Sequence, residues 1–115
     1  MNIDSITPLA LVIHQVNAYN TGNLEAFLET YADDIKIYDF PDKLLVKGKE
    51  EMKKVYGQLF RNYPELHCEV KDSMIQGTTI ILKERISGIE PEALQSIVIY
   101  EITENKISKV YFINQ

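Results

Sequence analysis

The chain has 115 residues, 45% of them hydrophobic and 25% charged, with a net charge of −5. That is one ordinary domain spanning residues 1–115, with enough apolar material for a core and too little length for two. The acidic balance argues against a nucleic-acid partner, which calls for a basic stripe, and no run of about 18 apolar residues is present to span a membrane. Cys68 is the only cysteine, so no intrachain disulfide forms and no oxidising compartment is implied. The N-terminus M-N-I-D-S-I-T-P has neither the basic flank nor the small-residue cleavage site of a signal peptide. A cytoplasmic address is the expectation.

Thr7 followed by Pro8 marks a helix start, because the hydroxyl caps and proline at the first position gives up no needed donor. Leu9, Val12, Ile13 and Val16 recur at helical spacing as far as N-T-G, where Gly22 suits a left-handed helix stop. Asn23 caps a second, short helix with Leu24, Phe27, Leu28 and Tyr31 on one face. In the strand that follows, Ile35, Ile37 and Asp39 share a face, while Lys36 and Tyr38 share the other. A carboxylate is thus aimed where two apolar residues point. The strand breaks at D-F-P-D, a turn composition, and a short extended piece, 44–46, leads to Gly48.

Met52, Val55, Tyr56, Leu59, Phe60 and Tyr63 fit a third helix, stopped by Pro64. Glu50 and Glu51 suit its positive end and interrupt the lysines of K-G-K-E-E-M-K-K, which therefore reads as a solvated helix start. After Pro64 the pattern is sheet. Leu66, Cys68 and Val70 alternate with His67, Glu69 and Lys71, and Q-G-T-T is a hairpin turn before a strand over 80–86. S-G-I-E-P-E makes a longer turn before 93–103, and E-N-K leads into a last strand over 107–113. Three helices followed by four long strands predict an α+β fold, with helices segregated to one face of an antiparallel sheet.

The stretch N-A-Y-N-T-G-N-L-E-A-F-L-E-T-Y-A-D-D-I-K-I-Y-D, Asn17 to Asp39, together with this element order, resembles the nuclear transport factor 2-like superfamily. That group includes ketosteroid isomerases and polyketide-cyclase-like proteins. The resemblance covers about half the chain well and matches the strand half in layout. It implies a cone: a strongly curved antiparallel sheet wrapped around three N-terminal helices, with a pocket inside. It puts Asp39 on the position of the isomerase's catalytic base, Tyr56 on a tyrosine of the pocket network and Tyr31 on an aromatic of the same region. Gln15 stands where the family has its oxyanion-donating tyrosine, and Val98 where it has a second donor, an acid.

A carboxylate inside an apolar cone is costly unless hydrogen-bonded, and burial raises its proton affinity, which suits a base moving protons between carbons. Asp is also a favoured turn residue, so the alternative is that Asp39 merely opens the D-F-P-D turn. Gln15 and Tyr19, four apart on the first helix, flank its apolar stripe and can share a wall; the Gln15 amide both donates and accepts. A buried Tyr56 needs a partner for its hydroxyl. His14 lies off the stripe. His67 faces either the cone or solvent, and Glu84, in phase with Ile80, Leu82 and Ile86, is a second acid on a mostly apolar face. Cys68 reads as core filling.

The sequence therefore offers Asp39, Gln15 and Tyr56 as catalytic candidates. Tyr19, Tyr31, Val55, Leu59, His67 and Val98 are the pocket candidates. No metal-type cluster, phosphate loop or Ser/His/Asp signature is present, and no cofactor is called for. The expected function is binding of a small apolar or cyclic molecule, with cofactor-free proton transfer of the isomerase, cyclase or dehydratase kind. The alternative is a non-catalytic binding or dimerisation module. Strands apolar on both sides, as with Ile97 and Ile99 against Val98 and Tyr100, predict a homodimer through the sheet.

Overall fold

The computed structural model describes residues 6–114. Its elements in chain order are α1 (Pro8–Thr21), α2 (Leu24–Glu29), β1 (Tyr31–Asp39), β2 (Lys43–Lys47), α3 (Lys49–Asn62), β3 (His67–Gln76), β4 (Thr79–Ser87), β5 (Leu94–Thr103) and β6 (Lys106–Asn114). The local chemistry read from the sequence sets these boundaries. Thr7 Oγ1 accepts from the Ala10 amide at 3.2 Å and opens α1, worth about 1 kcal/mol as a cap. Gly22, at φ 68°, closes it, and the Asn23 side chain accepts from the Ala26 amide to start α2. At the E-N-K turn both Glu104 (φ 51°) and Asn105 (φ 64°) are left-handed. That is the backbone of a type I′ hairpin, whose twist matches the strands it joins.

The six strands form one open sheet in the order β2-β1-β6-β5-β4-β3. Four of its five pairings are antiparallel and follow the hairpins, whereas β1 and β6 run parallel. No tight turn constrains those two, since some seventy residues separate them in the chain. Register breaks at Ile37/Tyr38, Val70/Asp72 and Glu101/Ile102 bend their strands, and the sheet curves around the helices.

The inward face carries Ile35, Ile37, Ile80, Leu82, Val98, Ile107 and Val110, all fully buried against Leu11 and Val12 of α1 and Met52 of α3. Phe27 of α2 is the hub. Its ring centroid lies 5.0 Å from Tyr31, 4.8 Å from Tyr56, 5.5 Å from Phe60 and 6.0 Å from Tyr19, distances at which tilted aromatic pairs attract. Gly57 faces α2, where a Cβ would lie in ordinary contact with the Leu24 side chain at 3.4 Å.

Edge strand β3 is held at its open side by a side chain. Asn20, in the last turn of α1, donates from Nδ2 to the Cys68 carbonyl (2.9 Å) and accepts at Oδ1 from the Cys68 amide (2.7 Å). The amide group thus imitates a neighbouring strand and satisfies both backbone groups that the edge would leave bare.

Candidate functional site

Helices and sheet do not fill the space between them. A cavity of about 150 Å³ remains, walled by Gln15, Val16 and Tyr19 of α1, Phe27 of α2, and Tyr56 and Leu59 of α3. The sheet contributes Tyr31 and Ile37 from β1, Cys68 from β3, Glu84 and Ile86 from β4, Leu94, Ser96 and Tyr100 from β5, and Val110, Phe112 and Asn114 from β6. Leu94 and Asn114 are themselves exposed, so the cavity opens at the start of β5 and the end of β6. Ser96 donates to Asn114 Oδ1 at 2.9 Å and ties the two strands together there.

Among the described residues, the one acid in this wall is Glu84. Strand alternation places it on the inward face with Leu82 and Ile80, in a cross-strand row running Val70, Glu84, Ser96, Asn114. Only 4% of the residue is exposed. Tyr100 donates its hydroxyl to Glu84 Oε2 at 2.7 Å, and the Cys68 thiol approaches the same carboxyl as a weaker donor. Burial pushes the Glu84 carboxyl above the usual carboxylate range, and the two donors only partly offset it. Among the described residues no nitrogen or oxygen donor reaches Oε1. No buried side-chain nitrogen or oxygen among the described residues is left unpartnered, and Glu84 forms part of the cavity wall.

A second polar pair stands on α1 and β1. Tyr31 donates to Gln15 Oε1 at 2.9 Å, with Tyr31 3% and Gln15 4% exposed. Gln15 Nε2 and the hydroxyls of Tyr19 and Tyr56 have no partner among the described residues, and none is sealed from the cavity. Burial, reinforced by neighbouring phenols and by Glu84, pushes Tyr19, Tyr31, Tyr56 and Tyr100 upward. All four are therefore neutral hydrogen-bond donors at neutral pH. Cys68 is likewise pushed up by burial, then by Glu84, which makes it a poor nucleophile.

Of the residues singled out in the sequence, the structure brings together Gln15, Tyr19, Tyr31, Tyr56 and Leu59. Asp39 is half-buried at the end of β1, in the row of Leu82, Val98 and Phe112, and does not line the cavity. Val98 is fully buried on the same face but is packed over rather than exposed to the cavity. Val98 is thus one of three pocket expectations that are corrected, with Val55 and His67. Val55 is 48% exposed, because α3 turns Met52, Tyr56 and Gly57 inward and leaves Val55 on its flank. His67 is exposed, since it alternates with the inward Cys68 and therefore points off the outer side of the sheet.

Sequence reasoning missed Glu84, Tyr100 and Ser96 as wall residues. The period-2 phase of Glu84 with Ile80 and Leu82 was the available signal. Its pairing with Tyr100 depends on a register that one strand does not reveal.

Residues 12–110 match the family model of the SnoaL-like domain. An uncharacterised cystatin-fold protein from Novosphingobium aromaticivorans superposes with a TM-score of 0.88 at 22% identity, covering 95% of this chain and 99% of its own. A candidate ketosteroid isomerase from Kribbella flavida reaches 0.80 at 16% identity, covering 94% and 77%. A candidate polyketide cyclase from Sinorhizobium meliloti reaches 0.78 at 15% identity, covering 97% and 99%. No curated protein matches the sequence significantly. At such identities the likeness establishes the nuclear transport factor 2-like fold.

Proposed function

Because this chain belongs to the SnoaL-like domain family, we propose that it binds a small, largely apolar molecule inside the cone and moves a proton on it with Glu84. The observation that carries this reading is a buried carboxyl, one oxygen fixed by Tyr100, in the wall of a largely apolar, aromatic cavity. A carboxyl with raised proton affinity exchanges a proton near neutral pH more readily than an ordinary one. Gln15 Nε2 and the Tyr56 hydroxyl are the donors available to an oxygen that gains negative charge. Isomerisation, cyclisation or dehydration would each use that layout, and the neighbours described as isomerase and cyclase favour this class. Asp39, outside the cavity wall, takes no part in it.

The volume limits the ligand. A largely apolar cavity of about 150 Å³ holds a benzene-sized body, so a monocyclic or short branched molecule fits within it. The test is a screen of small cyclic ketones and enones by ligand-observed NMR, followed by hydrogen–deuterium exchange at the carbon next to the carbonyl. Exchange in the wild type that disappears in Glu84→Gln supports proton transfer. Binding without exchange in either protein leaves a binding module, and no binding of any probe overturns the reading.

We also propose a homodimer through the outer face of the sheet. Met74, Ile81, Ile99, Tyr111 and Tyr38 pair one to the next across five strands on the side away from the helices. Met74 is 68% exposed, and Tyr38 stacks on Tyr111 at 5.1 Å. A continuous apolar row on a sheet face is what a second sheet would cover. Light scattering at micromolar concentration tests it, and a monomer refutes it.

A further inference from the structure

Glu84 is a buried titratable acid without a resident counter-charge. Among the described residues, no Lys, Arg or His lines the cavity. The groups that face the carboxyl from the surrounding elements are Tyr19 of α1, Tyr31 of β1, Tyr56 of α3, Cys68 of β3 and Tyr100 of β5. Every one of them is neutral at neutral pH. They supply hydrogen-bond donors and aromatic surface but no positive charge, and six of the seventeen wall residues are aromatic.

A carboxylate removed from water is costly unless a cation accompanies it. Aromatic faces attract cations, more strongly where water is excluded. Tyr100 engages Oε2, and among the described residues no nitrogen or oxygen donor reaches Oε1, which leaves it as the acceptor available to a ligand in this wall. A neutral apolar ligand would leave that oxygen unpaired. A ligand carrying N–H groups and a positive charge would satisfy the oxygen and the rings together.

We infer that the cavity takes a small organic ammonium ion, a protonated amine on a compact apolar body, whose N–H donates to Glu84 Oε1 while its charge lies among the tyrosine rings. This rests on the reading that the cone binds a small molecule, and it names that molecule's polar group. The charge balance is definite. When Glu84 starts protonated, R–NH3⁺ binds, the carboxyl O–H bond breaks, and one proton leaves to solvent, so that carboxylate and ammonium remain paired. Affinity for the amine therefore rises with pH, by up to about tenfold per unit while Glu84 is protonated in the free protein. A ligand that accepts a hydrogen bond from the carboxylic acid shows the opposite slope.

The experiment uses two probes of the same shape, cyclohexylammonium and cyclohexanol. Each is titrated calorimetrically into the wild type and Glu84→Gln between pH 5 and 8, in two buffers of different protonation enthalpy. The expected result is tighter binding of the ammonium at pH 8 by at least about tenfold. That binding is accompanied by proton release and is lost in Glu84→Gln. If cyclohexanol binds as well as the ammonium, or the ammonium affinity falls as pH rises, the inference is overturned and small-molecule binding in the cone stands. If neither probe binds, both readings fail. The slope on the wild type decides the matter even if Glu84→Gln does not fold.

Discussion

Replacing Glu84 by Gln removes the buried acid while keeping its shape, and its effect on stability is a direct reading of the site. Tyr100 still finds an oxygen where Oε2 stood, 2.7 Å from its hydroxyl, so the variant loses only the charge-assisted part of that bond, about 1 kcal/mol. Against this loss stands the cost of the charge. Glu84 is nearly sealed from water, and burial is the largest influence holding its carboxyl above the ordinary value. Between the unfolded and folded pKa values the folded chain binds more protons than the unfolded one. The wild type's stability from this group is therefore fully present below the unfolded value, about 4.3, and is lost as pH rises through the folded one. Gln does not titrate.

The difference between the proteins thus moves in the variant's favour as pH rises, by about 1.4 kcal/mol for each unit by which folding lifts the carboxyl. For a chain of this size each 1 kcal/mol corresponds to about 4 °C in Tm. Urea unfolding of both proteins at pH 4, 6 and 8 measures it. At pH 4 the variant is expected within about 1 kcal/mol of the wild type, on the less stable side. A difference that stays constant over this range, or that turns toward the wild type as pH rises, refutes the buried, proton-holding acid and the chemistry built on it.

Asn20→Ala removes both hydrogen bonds to the Cys68 backbone and is expected to cost about 2 kcal/mol in urea unfolding, with faster amide exchange along β3. Gly88→Ala is destabilising by about 1–3 kcal/mol, because Gly88 sits at φ +93° and a Cβ there would run into the Glu65 carbonyl; thermal melting reports it. Asp39→Asn leaves the affinity for any ligand of the cone within about twofold, the scale of substitutions away from a site, so a large loss in calorimetry would return the acid's role to Asp39. Ile99→Lys, in the middle of the outer apolar row, is expected to shift a dimer to monomer in light scattering while leaving the fold intact by circular dichroism.

Much of the fold was legible because its signals are local. The caps at Thr7 and Asn23, the stop at Gly22 and the alternation of the last four strands each depend on a few neighbouring residues. The parallel pairing of β1 with β6 was not, since it joins Tyr31–Asp39 to residues some seventy positions away. The site divides along the same line. Gln15, Tyr19, Tyr31 and Tyr56 come from the helical half and the start of β1, where the resemblance to a known fold was strongest, and all four line the cavity. Val55 and His67 failed for a geometric reason: a helical stripe has two flanks and a strand two faces, and the sequence does not say which borders the cavity.

The acid shows where residue-by-residue reading stops. Alternation marks both Asp39 and Glu84 as inward carboxyls, and nothing within either strand ranks them. The ranking comes from rows that cross the sheet. Asp39 ends the row that passes through Phe112 and Val98 to Leu82. Glu84 stands one row along on the same face, at the cavity wall, with Tyr100 reaching back to it. The resemblance looks for a second acid at Val98 on β5 and finds an apolar residue. The carboxyl that meets the cavity comes instead from β4, two residues beyond the cross-strand partner of Val98. A position-matched comparison along one strand cannot register that difference, because the acid in the cavity wall stands on the neighbouring strand. Chemistry in this fold is specified by which side chains converge on the cavity, and a buried acid can be supplied to the same space from either of two adjacent strands.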